Sequence, residues 1–231
     1  MSTPSPVVPA QEETAQILQR YNIALAHNLV YTYEELRDLG ITPEFLLALL
    51  DVFEDQSSFN AKAFNRFTLK VIIDYLRKTH AYYLSKKLLE IEQSIHLLVT
   101  AYPRAHPMLL LLNTFYSDYK RHLINHIEME ERELLPYIIK LEQVAETNGT
   151  LLPPTLSVEQ FIHHHHDTEK DLEEVRIAIL NYSPPEGNQT LYRILLSQLQ
   201  VFEKDMAIHA LIEDEVLLPR ALALEKKFVA P

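Results

Sequence analysis

The 231-residue chain contains no cysteine. That absence excludes disulfides, thiolate nucleophiles and sulfur-ligated zinc or iron–sulfur sites, so any metal must be held by nitrogen and oxygen. Glycine is scarce, with three residues, while Ala, Leu, Glu and Lys are plentiful, a balance that favours helix over turn-rich sheet. No apolar run reaches the roughly 18 residues that cross a bilayer. The opening stretch MSTPSPVVPAQEE lacks the basic end and apolar core of a signal peptide, which predicts a cytoplasmic protein with no membrane partner. Positive charge is also short. The net charge of −11, without a long basic run, repels phosphate backbones and argues against nucleic acid as a direct partner.

What is present is ordinary for a soluble globular protein, at 47% hydrophobic and 23% charged residues, except for a surplus of eleven histidines. Four of these, His163 to His166, are consecutive; they lie inside the chain and precede helical sequence, unlike a purification tag.

Residues 1–10 are rich in Ser and Pro and are expected to form a disordered tail. A small helical unit is predicted over 11–58. It contains a helix from about Glu12 to Leu29, a short turn over Tyr33–Leu39 ended by Gly40, and a helix opened by Thr42-Pro43, with DQSSFNA as linker. Residues 59–231 then carry four long amphipathic patterns, at about 64–101, 107–146, 157–182 and 190–226, separated by Pro-marked breaks. The first has Val71, Ile72, Tyr75, Leu76, Leu84, Leu88, Ile91, Ile95 and Leu98 as its apolar face. The expected fold is all-α, an up-down-up-down four-helix bundle with a small helical N-terminal unit. Pro136 and Pro219 fall inside the second and fourth patterns, which predicts a kink or a turn of irregular helix at each.

Those two prolines belong to a repeat. His126, Glu130 and Pro136 stand at the same spacing as His209, Glu213 and Pro219, in HIEMEERELLP and HALIEDEVLLP. His and Glu four residues apart share one helix face. A carboxylate facing a core is costly unless it is paired or bound to a metal, and imidazole suits iron, zinc or copper. Two such frames on two long helices are what a metal pair inside a helical bundle requires. Further ligands must come from the other helices. His80 lies on the apolar face of the first pattern, with Leu76 and Leu84 four residues to either side. On the third pattern, the stripe Leu172, Val175, Ile179 extrapolates back to Thr168 and His165, with His166 beside it, and spacing alone leaves these two histidines open. His122, one turn before His126, is either a hydrogen-bonding neighbour of the site or a surface residue.

At these residues the sequence resembles the hemerythrin-like di-iron proteins, and among them the repair-of-iron-centres group, over about residues 68–225. The resemblance is carried by HIEMEERELLP, HHHHDTEKDLEEV and HALIEDEVLLPRAL. It implies one His from each helix, His80, His126, His166 and His209, as terminal ligands, with Glu130 and Glu213 as bridges between two non-haem irons joined by an oxo or hydroxo group. The His166-Asp167 pair is what selects His166. Oxygen-carrying hemerythrins are the rival pattern. They are similar in placing an acid five residues after the last His, where Asp214 stands, but they need two His four apart on the third helix, and the residue four beyond His163 is Asp167. The N-terminal unit lacks the paired cysteines that repair proteins often carry, so no thiol chemistry is expected of it.

The function implied is a metal-binding, iron-delivering protein rather than a true enzyme. Its partners would be iron–sulfur proteins or their scaffold, damaged by nitrosative or oxidative stress, with NO or O2 as the small ligand. The alternatives are a di-iron redox enzyme reducing NO or peroxide, and an oxygen- or NO-binding sensor.

Overall fold

The computed structural model describes residues 7–8, 12–23, 30–101, 107–147, 149, 157–164, 177 and 189–228. The expected all-α class holds. Helix dominates the described residues, and sheet is reduced to one antiparallel pair, β1 (Val7–Val8) with β2 (Tyr31–Thr32). Val7 and Val8, inside the segment expected to be a tail, thus pair with Thr32 and Tyr31; Val8 is buried. No described helix is long and apolar enough to cross a membrane.

The helices in order are α1 (Glu12–Gln19), α2 (Tyr33–Asp38), α3 (Pro43–Glu54), α4 (Ala61–Phe64), α5 (Leu69–Tyr82), α6 (Leu88–Ala101), α7 (Pro107–Met129), α8 (Leu135–Thr147), α9 (Val158–His164), α10 (Gln189–Ile212) and α11 (Leu218–Phe228). Three five-residue π-helical turns join α5 to α6 (Tyr83–Lys87), α7 to α8 (Glu130–Leu134) and α10 to α11 (Glu213–Leu217). The irregularity predicted at Pro136 and Pro219 is therefore real, and its form is a π turn ending two residues before each proline. The third π turn has no proline after it and was not foreseen. It lets the buried side follow Tyr83 and then Leu88, a step of five, so Leu84 is only half-buried where α-helical spacing had placed it in the core.

Two other boundaries differ from expectation. Helix α1 stops at Gln19 because the chain enters a left-handed cap. Asn22 has φ 58°, its N–H donates to the Gln19 carbonyl, and the Ile23 N–H donates to the Leu18 carbonyl. This is the six-to-one and five-to-two pattern that closes helices, with Asn in the place usually held by Gly. The first long pattern does not start at Phe64. Helix α5 opens at Leu69, where the Thr68 hydroxyl accepts from the Val71 N–H at 3.3 Å. The short helices match their sequence signals more closely. Thr32 and Glu35 form a reciprocal capping box on α2, Gly40 takes φ 76° after it, and Pro43 opens α3. Of the predicted third helix only α9 and Ile177 fall within the described residues; Ser157 caps α9 as expected, accepting from the Gln160 N–H at 3.1 Å.

The chain divides into two compact units, Met1–Tyr82 with Ile208–Arg220, and Tyr83–Ala207 with Ala221–Pro231. In the first, the core gathers Phe45, Phe64, Phe67 and Tyr75, whose rings meet edge to face at 5.1–6.2 Å. In the second, α6 and α7 pair across a short connection. The Tyr116 hydroxyl donates to the Leu88 carbonyl at 2.7 Å, and Lys120 meets Glu92 at 2.8 Å. Burial pushes the Tyr116 phenol well above its usual range, with the Glu92 carboxylate adding to the effect.

Candidate metal centre

Each His–Glu pair continues a core stripe. On α7 the buried series Leu112, Tyr116, Tyr119, Leu123, Ile127 runs into Glu130, with His126 beside it. On α10 the series Leu195, Leu199, Phe202, Met206 runs into His209 and Glu213. The carboxylates are inside because they occupy positions that apolar residues hold one and two turns earlier.

In the first unit, His80 and His209 face each other, with their Nε2 atoms 2.9 Å apart and their rings 4.9 Å apart. His209 turns its other nitrogen, Nδ1, toward Glu213 Oε2 at 3.8 Å. All three side chains are buried: His80 is 2% exposed, His209 5% and Glu213 2%. In the second unit, His126 Nε2 lies 2.7 Å from Glu130 Oε1, and Glu130 is fully buried. Each Glu is also the first residue of its π turn. A π turn inserts one residue into the helix, which lets the pair face inward while the apolar residues after it stay in the core.

The neighbouring acids behave differently. Glu133, Asp214 and Glu215 are exposed and Glu131 is half-buried. The buried acid on the last helix is thus the one four residues after its His; Asp214, which the oxygen-carrier pattern would use, points to solvent. His122 and His96 are also exposed, so His122 follows its surface alternative. His165 and His166 lie outside the described residues, as do the side chains of His163 and His164.

The donors suit a metal of the iron or zinc type. They are imidazole nitrogen and carboxylate oxygen, with no cysteine in the chain. Two imidazoles on one ion, with metal–nitrogen bonds of about 2.1 Å at a right angle, stand roughly 3 Å apart. The His80–His209 separation matches that value. In the metal-free state the same spacing is a hydrogen bond, one ring donating and the other accepting. The chain therefore contains a His/Glu group able to hold a metal.

Sequence reasoning passed over Glu225. Its Oε1 accepts from the Tyr137 hydroxyl at 2.8 Å and from the Val158 N–H at 3.0 Å, so the carboxylate from α11 ties α8 to the first turn of α9. Burial, and then the bond to Glu225, push the Tyr137 phenol well above its ordinary range. An isolated Glu in a charged helical stretch gives no signal of this in the sequence.

No family model matches the chain. It is 23% identical over 171 residues to the iron-sulfur cluster repair protein ScdA of Staphylococcus epidermidis, covering 74% of this chain and 73% of the relative. The chain is similar to the iron–sulfur cluster repair proteins. The same name attaches to a 22% identical ScdA of Staphylococcus haemolyticus, matched over 71% of this chain and 70% of its own. The repair protein YtfE of Pectobacterium carotovorum is 31% identical over 111 residues, 48% of this chain and 45% of that protein. The resemblance read from HIEMEERELLP and HALIEDEVLLP is thereby borne out. The chain carries both motifs, with the glutamate of each buried.

Proposed function

We propose that the protein binds two non-haem irons through His80, His126, Glu130, His166, His209 and Glu213, and that it serves in repair of iron–sulfur proteins damaged by nitrosative or oxidative stress. The observation that carries this is the burial of Glu130 and Glu213, each four residues after a histidine and each opening a π turn. Relatives named as iron–sulfur cluster repair proteins support the repair role.

The chain's own residues account for retention and release. The imidazoles and carboxylates bind, the core stripes around them exclude water, and the π turns set their direction. Four His and two Glu would hold the irons without filling every coordination position. Bound iron would offer those positions to NO or oxygen species, and a site so sparsely ligated would also release iron. Residues 59–231, with the motifs on their helices, would form the iron-binding bundle. The expected partner is an iron–sulfur protein or its assembly scaffold, in the cytoplasm.

The test begins with protein reconstituted with ferrous iron without oxygen, its metal counted and its visible spectrum recorded. It is then mixed with an iron–sulfur enzyme inactivated by NO. Two irons per chain and recovery of the enzyme's activity are expected, with both lost in Glu130→Ala and Glu213→Ala. Recovery that is equal with metal-free protein, or full iron content in both variants, would rule the reading out.

A further inference from the structure

The sequence assigned no role to the N-terminal helices. The first compact unit groups them with His80, His209 and Glu213. The link between them is a buried arginine. Arg20 sits in the closing turn of α1 and is 4% exposed. Its guanidinium lies over three rings, 5.3 Å from Phe53, 5.6 Å from Tyr75 and 5.4 Å from Tyr82. Phe53 belongs to α3, whereas Tyr75 and Tyr82 both belong to α5, the helix of His80. The cation also donates from Nη1 to the Gln16 carbonyl at 2.9 Å, which holds it against its own helix. The residue before it adds a second tie, Gln19 Oε1 accepting from the Tyr82 hydroxyl at 3.2 Å, and the residue after it a third, the Tyr21 ring lying 4.7 Å from Lys78 Nζ.

The direction of this grip matters. At about 100° per residue, Tyr75 and Tyr82 are separated by only about 20° around α5, while His80 is roughly 140–160° from both. The arginine therefore holds the back of the helix whose front presents His80 to His209. Tyr82 is also the last residue before the π turn at Tyr83–Lys87, where the helix changes phase. A cation seated between two rings seven residues apart resists both rotation and sliding of α5, because either movement draws it off the ring faces.

We infer that Arg20 is a positioning residue, and that the N-terminal helices act through it as a brace that sets the rotation of α5 and so holds His80 against His209. For its consequence in metal binding, the inference rests on the proposed function. The His–His contact can be read without metal.

The experiment uses the full-length chain as Arg20→Met, which keeps length and apolar volume without the cation, and Arg20→Lys, which keeps the charge. Helicity by circular dichroism reports folding. In metal-free protein, proton NMR reads the hydrogen-bonded Nε2 proton shared by His80 and His209, and cobalt(II) titration reads affinity and the visible ligand-field spectrum. Arg20→Met is expected to remain helical, to lose protection of the shared proton, and to bind cobalt about tenfold more weakly with an altered spectrum. Arg20→Lys is expected to recover most of both. A folded Arg20→Met with a protected proton and wild-type cobalt spectrum overturns the brace. Should Arg20→Met fail to fold, Arg20→Gln, which also removes the cation but keeps a polar side chain, takes its place, and unchanged proton protection in it overturns the brace equally. Loss of proton protection in a protein whose wild type takes up no cobalt would uphold the brace and overturn the metal reading, so the two fail separately.

Discussion

Replacing Glu213 by glutamine separates the cost of a buried carboxylate from its use. The side chain is 2% exposed, with Oε2 3.8 Å from His209 Nδ1. Burying an ion costs several kcal/mol unless it is compensated, and glutamine has the same shape without the charge. The metal-free variant should therefore melt at or above the metal-free wild type. The metal-loaded comparison runs the other way. A ligand at about 1,000 times its dissociation constant stabilises the fold by about 4 kcal/mol. In a chain of this size each kcal/mol moves the melting point by about 2–4 °C, so chelation should lower the wild-type value by roughly 8–16 °C. Glu213→Gln should lose most of that response. The assay is thermal unfolding by circular dichroism, with ferrous iron under anaerobic conditions and again with excess chelator. An equal chelator shift in wild type and variant would refute Glu213 as a ligand. A metal-free variant melting well below the metal-free wild type would show instead that the carboxylate is held by the protein alone.

Three other outcomes are expected. Inserting one alanine after the exposed Arg132, in the π turn at Glu130–Leu134 that already absorbs one extra residue, rotates everything after it by about 100°; Ile138 and Leu141, both fully buried, leave the core at roughly 1.5–3 kcal/mol each, visible as a large fall in urea midpoint. Thr32→Ala removes the capping box of α2 and should cost about 1 kcal/mol by denaturant titration. The phenols of Tyr21, Tyr116 and Tyr137 are each raised above the ordinary 10.0, chiefly by burial, so their contribution to stability is complete below pH 10 and falls as pH rises from there toward their folded-state values. Tyrosinate absorbance from these three should then appear together with unfolding, and free titration near pH 10 in the folded protein would contradict their burial.

Local features were legible in the sequence because local geometry produces them. A His and a Glu four apart share a helix face whatever surrounds them, and Pro43 or Gly40 limits the backbone through its own covalent structure. The predicted irregularity before Pro136 and Pro219 has the same origin. The π turn at Tyr83–Lys87 has no such marker; only the burial of Tyr83 and Leu88, five residues apart, reveals it. The end of α1 at Asn22 was missed because Leu25 and Leu29 extend the apolar spacing past a residue whose left-handed conformation is an option rather than a requirement.

The sequence by itself determined the helical class, the nitrogen and oxygen donor set and the pairing of each histidine with its glutamate, since composition and spacing along one helix suffice for all three. Only the tertiary structure decided which acid of each run is buried, that His80 meets His209 across 129 residues of chain, and that Arg20 and Glu225 hold the helices around them. Such contacts join residues far apart in the chain, and the energy that selects them comes from burying surfaces of different helices against one another, which no spacing within a single helix encodes.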